Sequence, residues 1–285
     1  MTVFYASFCP PILQVFGTPN FVVDLSHATT TGKTTALRAA GSVWGNPDDR
    51  TPHTVVGTWD ATRVWLERAS HVRSGRPLLM DDTAKAAKRE RTIADLIYSV
   101  VSGHGRGRGT IAGLSPTAYW RTVLLSTGEQ PVTSFTQDGG TRTRCLSLRG
   151  LPLGARDPET GVLAKTLNSR LCTHFGHAGP RFVAWLMQER DRWPGWREKY
   201  EEWSTYYSAV IPTPEAGRLA QYAALVSTAG AMAHSALSLP WEYTNPIQGL
   251  WADLAALAAD AAGEERALRD VISWAYSVEH TFYGR

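Results

Sequence analysis

The stretch that decides the fold is Ser26-His27-Ala28-Thr29-Thr30-Thr31-Gly32-Lys33-Thr34-Thr35. It follows the apolar run Phe21-Val22-Val23-Asp24-Leu25, which predicts a short buried strand, and it precedes Ala36-Leu37-Arg38-Ala39-Ala40, which predicts a helix. A strand, a Gly-Lys-Thr loop and a helix in this order are typical of a phosphate-binding P-loop. The sequence therefore predicts a nucleotide site, and the alternative is a Gly-Lys-Thr that stands by chance at a helix start.

The chemistry of the predicted loop follows from its geometry, because backbone N–H groups of the loop and of the helix N-terminus attract an anion. In this pattern Lys33 contacts the β- and γ-phosphates and Thr34 offers its hydroxyl to Mg²⁺. His27 stands where the pattern has glycine, and His adopts positive φ only at a cost. Binding without hydrolysis therefore stays an alternative. The residues expected to bind ATP and Mg²⁺ are His27, Thr30, Thr31, Gly32, Lys33, Thr34 and Thr35.

A second informative stretch is Arg76-Pro77-Leu78-Leu79-Met80-Asp81-Asp82-Thr83, a short apolar run that ends in two carboxylates. Such a run is typical of a Walker B strand, in which one carboxylate holds Mg²⁺ and its neighbour orients the attacking water. We assign Asp81 to the metal and Asp82 to the water. The alternative is an ordinary strand end, because strand-to-turn junctions often carry Asp.

Two later stretches supply further catalytic candidates. Residues 120–129 predict another buried strand, and Ser126 and Thr127 near its end are candidates for sensing the γ-phosphate. Arg142 and Arg144 precede an apolar strand and are expected to point the same way along an extended segment. Either arginine is a candidate arginine finger, and the alternative is a basic strand edge that guards against aggregation.

The segment Ser102-Gly103-His104-Gly105-Arg106-Gly107-Arg108-Gly109 alternates glycine with basic residues and predicts a mobile, cationic loop. Arg106 and Arg108 are expected to contact nucleic-acid phosphates, which require charge rather than base-specific geometry. The alternative is a solvated flexible loop. Upstream, Asp60 is expected to cap a helix on which Glu67 is either a solvated carboxylate, the favoured interpretation, or a catalytic one.

The composition bounds the class of protein. The 285 residues are 43% hydrophobic and 19% charged, which predicts a sizeable core and argues against gross disorder. A net charge of +3 permits a nucleic-acid partner without requiring one. Three scattered cysteines predict neither a disulfide framework nor a zinc site and fit the cytoplasm.

Residues 1–16 are apolar, but they lack a basic n-region and contain Pro10 and Pro11. We therefore expect a helix packed on the core rather than a signal peptide or membrane span.

The pattern changes from Pro158, where strand signals largely stop and prolines separate helical segments. We therefore predict an α/β P-loop NTPase (RecA/AAA+-like) core over residues 1–150, followed by a C-terminal all-helical domain over 151–285. The helices expected in the second part are 166–175, 181–188, 196–207, 215–236, 248–262 and 265–278.

Five blocks together resemble a known family, although each alone is unspecific. They are 30–45, 58–62, 81–83, 120–129 and 217–225. In this order they are similar to P-loop ATPases from phages, plasmids and genomic islands, described as helicase-like "and inactivated derivatives", many of which are attached to a primase domain.

The resemblance implies a RecA/AAA+-type core that works as a replicative helicase, assembled as a ring. By position it gives phosphate and Mg²⁺ roles to Lys33 and Thr34, Walker B roles to Asp81 and Asp82, and the sensor role to Ser126 or Thr127. The upstream region of the family is not in this sequence, so any activity of a primase or upstream domain would have to come from a separate polypeptide.

The function expected from the sequence is ATP-dependent translocation on, or unwinding of, single- or double-stranded DNA in a mobile-element replication system. A trans-acting arginine predicts a homo-oligomeric ring, a hexamer. One alternative is an ATP-binding structural or regulatory subunit that does not hydrolyse. The other is a nucleotide-switched assembly factor in phage defence or packaging. No membrane partner is expected.

Overall fold

A computed structural model describes residues 1–28, 31–85, 90–107, 109–110, 113–114, 116–136, 139–259 and 271 of the chain. Its centre is a five-stranded parallel sheet in the order β2-β3-β6-β1-β7, and a separate antiparallel pair is formed by β4 and β5. In chain order the strands are β1 (Phe21–Ser26), β2 (Val56–Thr58), β3 (Leu78–Asp81), β4 (Gly109–Thr110), β5 (Gly113–Leu114), β6 (Val123–Gly128) and β7 (Cys145–Arg149).

Helices cover both faces of the sheet. They are α1 (Thr2–Ala6), α2 (Leu13–Phe16), α3 (Lys33–Ser42), α4 (Arg63–Val72), α5 (Glu90–Ser102), α6 (Gly139–Arg142), α7 (Pro158–Leu171), α8 (Ala178–Gln188), α9 (Trp193–Val210), α10 (Pro214–Leu237) and α11 (Trp251–Ala259). None of the helices within the described residues has the length and apolar character needed to cross a membrane.

Short polar side chains fix where several helices begin. Asp157 accepts a hydrogen bond from the N–H of Thr160 at the start of α7, and Thr213 does the same for Ala216 at the start of α10. Proline occupies the first position of both helices, where its missing N–H costs nothing. The cap of α4 is Thr62, so the prediction that Asp60 caps this helix is wrong.

The strand register defines two edges of the sheet. Ser26 at the end of β1 lies opposite Gly128 of β6 and Arg149 of β7, and β3 pairs with β6 in the same direction. We call this side the carboxyl edge and the opposite side the amino edge. The Gly-Lys-Thr loop follows β1 at the carboxyl edge, so residues that follow β3 and β6 reach the same place.

Two hydrophobic clusters hold these layers together, one on each face of the sheet. The larger joins Val23, Leu25 and Leu125 to α1, α3 and helices α8 to α11. The smaller joins Val22 and Leu124 to α4 and α5. The larger cluster contains residues from both sides of position 150, so the division at 150 stays a prediction from sequence pattern.

The amino-terminal segment packs on the core, as predicted, but as short pieces rather than one helix. A 3₁₀ turn at Pro10–Ile12 separates α1 from α2, because proline cannot donate the hydrogen bonds of a continuous helix. Tyr5 and Phe8 are fully buried in the larger cluster. The predicted helices of the second half correspond to α7 through α11, while the one expected over 265–278 lies outside the described residues apart from Val271.

Candidate functional site

The loop between β1 and α3 continues the sheet before it turns. The N–H of His27 donates to the carbonyl of Gly128 at 3.2 Å, and the hydroxyl of Thr31 donates to the carbonyl of Ala28 at 3.1 Å. Among the described residues, Asp82 and Ser238 are the non-glycine positions with positive φ. The expected backbone cost at His27 is therefore wrong. Thr29 and Thr30, the latter a predicted ligand, lie outside the described residues.

Gly32 is the glycine that this loop requires. It has φ 89° at the N-cap of α3, a conformation that other residues rarely adopt. A Cβ on Gly32 would lie 2.9 Å from Cδ1 of Leu153, which follows β7 and covers the loop. A larger residue at position 32 would therefore strain the backbone and would also displace Leu153.

Lys33 folds back over the loop. Its ammonium donates to the carbonyls of His27 at 2.6 Å and Ala28 at 2.8 Å. The positive charge of Lys33 is thereby held against the loop, beside the start of α3. A phosphate at this helix N-terminus would compete with the two carbonyls for the ammonium.

A chain of side-chain hydrogen bonds links three elements at the carboxyl edge. The hydroxyl of Thr34 on α3 donates to Oδ1 of Asp81 on β3 at 3.2 Å. The hydroxyl of Thr127 on β6 donates to the same oxygen at 2.5 Å. Asp81 is 7% exposed. A carboxylate and a hydroxyl are oxygen donors of the kind that Mg²⁺ prefers, so these residues fit the predicted metal roles.

Asp82 occupies a tight turn directly after this carboxylate. Its φ is 64°, its N–H donates to the hydroxyl of Thr127 at 3.2 Å, and its Oδ1 accepts from the N–H of Ala84 at 3.1 Å. The turn packs against the end of β6, where a Cβ on Gly128 would lie 2.0 Å from Oγ1 of Thr83. The positions of Asp81, Asp82 and Thr127 are therefore fixed together.

The two sensor candidates face opposite sides of the sheet, since neighbouring residues of a strand alternate. Thr127 contacts Asp81, whereas the hydroxyl of fully buried Ser126 accepts from the indole N–H of Trp59 at 3.2 Å. Thr35 likewise turns away from the loop, because its hydroxyl accepts from the side-chain amide of Asn168 on α7 at 2.8 Å. The structure brings Thr127, but neither Ser126 nor Thr35, to the carboxylate of Asp81.

Arg142 and Arg144 do not lie along one extended segment, so that prediction is wrong: Gly139–Arg142 is helical. Both precede β7 and therefore lie at the amino edge, opposite to Lys33. Arg144 stands beside the phenol of Tyr222. Burial raises the pKa of Tyr222 to about 12, and the positive charge of Arg144 acts against that shift. The residue of β7 that reaches the carboxyl edge is Arg149, which sequence reasoning missed.

Asp24 is a further residue that sequence reasoning passed over. It lies fully buried within β1 and accepts a hydrogen bond from the N–H of Val132 at 3.0 Å. Burial raises the pKa of Asp24 to about 7, against the opposing effects of the hydrogen bonds from Val132 and Ser126 and of the charge of Lys33. The sequence signal that could have identified Asp24 is a carboxylate inside an otherwise apolar strand.

The glycine-rich segment after α5 forms more structure than the loop expected there. His104 pairs with Tyr119 in an antiparallel bridge, and β4 and β5 pair farther along. We call residues 103–120 the arm. It begins after α5 and ends before β6, and its two ends meet at the amino edge of the sheet, where the N–H of Trp120 donates to the carbonyl of Gly103. Arg106 is exposed, and Arg108 lies outside the described residues.

Glu67 lies beneath the base of the arm. The prediction of a solvated carboxylate is wrong, because Glu67 is 7% exposed and accepts a 2.8 Å ion-pair hydrogen bond from Arg63. A Cβ on Gly105 would lie 3.5 Å from its Oε2, so the arm passes directly over this ion pair.

Comparison with known proteins agrees with this architecture. The fold is similar to that of a solved helicase. The structure, described as SCCmec type IV Cch, an active helicase, superposes with a TM-score of 0.74 at 19% sequence identity. The match covers 96% of this chain and 50% of that one, so the chain spans half the length of that helicase. The α/β architecture with a parallel sheet and many helices is therefore shared.

Comparison of the sequence with known families gives less information than comparison of the fold. Residues 1–118 match a family described as a domain of unknown function, DUF927. This stretch contains the Gly-Lys-Thr loop, β3 and part of the arm. No curated protein matches the chain.

Proposed function

We propose that this chain is an ATP-dependent nucleic-acid translocase or helicase of a mobile-element replication system, with ATP and Mg²⁺ as cofactors. The observation that carries the proposal is the hydrogen-bonded chain from Thr34 through Asp81 to Thr127. It joins the helix of the Gly-Lys-Thr loop, the acidic strand β3 and the strand β6 that lies between β1 and β3. A hydroxyl and a carboxylate beside a phosphate-binding loop are the groups with which P-loop NTPases hold Mg²⁺. The helicase-like fold supports the nucleic-acid part of the proposal.

Each residue has a role that its position supports. Lys33 and the N-terminus of α3 bind phosphate, while Thr34 and Asp81 would hold Mg²⁺, which neutralises phosphate charge when bound. Thr127 orients Asp81 through their hydrogen bond. Asp82, on the adjacent turn, orients the attacking water or accepts its proton.

The path of the chain offers a route that would couple nucleic-acid binding to ATP hydrolysis. The Asp82 turn leads through α5 to the arm, and the arm leads through β6 to Thr127. Nucleic acid at the arm would therefore act on elements that carry both Asp82 and Thr127. Arg106 and Arg108 are the proposed phosphate contacts. Neutralising both should lower the salt slope of binding by about two if each contacts one phosphate.

The deciding experiment measures ATP affinity by calorimetry and ATP turnover with and without single-stranded DNA. We expect Lys33→Ala to abolish binding or turnover while the thermal unfolding midpoint is retained, because the ammonium bonds loop carbonyls rather than core groups. Lys199→Ala, an exposed lysine on α9, is the matched control. Unchanged ATP affinity together with unchanged turnover in Lys33→Ala refutes the proposal. Binding without turnover favours the regulatory-subunit alternative, and turnover without DNA stimulation favours the assembly factor.

We propose further that the active form is a homo-oligomeric ring, a hexamer. Arg142 and Arg144 lie at the edge opposite to Lys33, so an arginine finger at either position would serve a neighbouring subunit. Mixing Lys33→Ala subunits with Arg142→Ala/Arg144→Ala subunits tests this. Partial recovery of ATPase activity supports the trans arginine, and full activity of the arginine variant alone rejects it.

A further inference from the structure

Three exposed aromatic rings gather where the arm leaves the helices. Tyr98 on α5 is 55% exposed and Tyr119 on the arm is 67% exposed. The ring of exposed His104 lies 6.3 Å from that of Tyr119, centroid to centroid. Together with Arg63 and Arg106 they line an open depression of about 390 Å³. We call this depression the aromatic platform.

The platform is held in place by its surroundings. The N–H of Gly105 donates to the carbonyl of Ala118, and His71 at the end of α4 donates to the carbonyl of Tyr119 at 2.8 Å. The next residue, Trp120, is buried, and its indole N–H donates to the carbonyl of Val100 at 3.0 Å. The backbone of Tyr119 is thus fixed on both sides, so its ring is presented to solvent from an ordered position.

The charge around the platform narrows the class of ligand. None of the described residues that line it is acidic. Glu67 beneath it is buried and paired with Arg63, so these two charges balance each other. Arg106 adds positive charge at the rim. Flat rings beside a cation match the surface on which successive bases stack while their phosphates are attracted nearby.

We infer that Tyr98 and Tyr119 stack on the bases of single-stranded nucleic acid. This inference rests on the proposed function and deepens it, because it adds contact with bases to the phosphate contacts of Arg106. Stacking does not depend on sequence, since every base has a π-face. A translocase must hold a strand irrespective of its sequence, and the platform supplies such a contact.

The test uses fluorescence anisotropy with a labelled oligothymidylate and an abasic strand of equal length, with a non-hydrolysable ATP analogue present. Tyr98→Leu and Tyr119→Leu should each weaken binding to the oligothymidylate at least about fivefold. They should bind the abasic strand as the unaltered protein does, and they should leave the salt slope unchanged. Tyr98→Phe and Tyr119→Phe should keep near-normal affinity. Tyr206→Leu, an exposed tyrosine on α9, is the control.

The outcomes separate this inference from the proposed function. If the unaltered protein binds neither strand, the nucleic-acid part of the proposed function fails, and the inference fails with it. If it binds and the leucine variants bind the oligothymidylate equally well, or lose the same factor on the abasic strand, only the stacking inference is overturned. A changed oligomeric state of the leucine variants in sedimentation, with DNA affinity retained, also overturns it and makes the platform a subunit contact.

Discussion

The hydroxyl of Thr127 donates to the carboxylate of Asp81 at 2.5 Å, and both groups are almost fully buried. The same hydroxyl accepts from the N–H of Asp82 at 3.2 Å. One side chain on β6 therefore fixes two successive acidic residues at the end of β3. A polar residue in this place positions the carboxylates whether or not it also contacts phosphate.

Thr127→Val should impair both stability and turnover. The valine fills the same space but leaves the N–H of Asp82 without its acceptor, which costs about 1–3 kcal/mol. ATP hydrolysis should fall while ATP binding is largely kept, because Lys33 is untouched. Ser126→Ala is the matched control on the opposite face, and it should retain turnover. Equal losses in the two variants would show that position on β6, rather than contact with Asp81, decides the effect.

Much of this arrangement could be predicted from the sequence because the signals are local. The apolar run 21–25 and the Gly-Lys-Thr loop predict β1 and α3, and the acidic run predicts β3, all of which the structure contains. The choice between Ser126 and Thr127 could not be made, since it depends on which face of the sheet α3 covers.

Other features depend on partners that are distant in sequence. The strands β4 and β5 have two residues each, which is too short to show an alternating hydrophobic pattern in the sequence. Burial of Glu67 requires the arm to pass over α4. Leu153 reaches Gly32 only because β7 lies beside β1.

Asp82→Asn should separate folding from chemistry. Asparagine tolerates the positive φ at this position and can still accept from the N–H of Ala84. We therefore expect normal stability and ATP affinity, with turnover reduced at least about 100-fold if Asp82 acts on the water. Stopped-flow phosphate release together with calorimetry measures both. Turnover at the normal rate would remove Asp82 from the chemistry.

Asp82→Gly provides the matching test of backbone strain. Glycine adopts φ 64° without a Cβ penalty, so relief of strain of up to about 1–2 kcal/mol opposes the loss of the hydrogen bond to Ala84. The variant should unfold near the midpoint of the unaltered protein and be inactive.

His27→Gly should leave ATP affinity within about twofold of normal. His27 serves the loop through its main chain, as donor to Gly128 and acceptor from Lys33, and glycine keeps both bonds. Its backbone has no positive φ to relieve, so glycine should lower the free energy of unfolding by about 0.5–1 kcal/mol through greater freedom of the unfolded chain. Calorimetry and urea unfolding measure the two effects. A clear loss of affinity would instead assign the imidazole a direct role.

Asp24 should make the stability of the protein depend on pH. Its pKa is raised by burial from an ordinary value of 3.8 to about 7, so the folded chain favours the protonated form. The stabilising contribution of that form is complete below pH 3.8 and is lost as pH rises through about 7. Each pKa unit corresponds to about 1.4 kcal/mol, so the loss is of the order of a few kcal/mol.

Asp24→Asn tests this directly, because the side-chain oxygen of asparagine can still accept from the N–H of Val132. Urea unfolding across this pH range should give a flatter profile for the variant, with its largest relative gain in stability above about pH 7. Asp95→Asn, which alters an exposed carboxylate on α5, should leave the profile unchanged. Lys33 is the neighbouring cation whose charge opposes the raised pKa of Asp24. The double variant Asp24→Asn/Lys33→Ala separates the contributions of these two residues to the pH dependence of stability. Parallel profiles for Asp24→Asn and the unaltered protein would show that another group carries the titration.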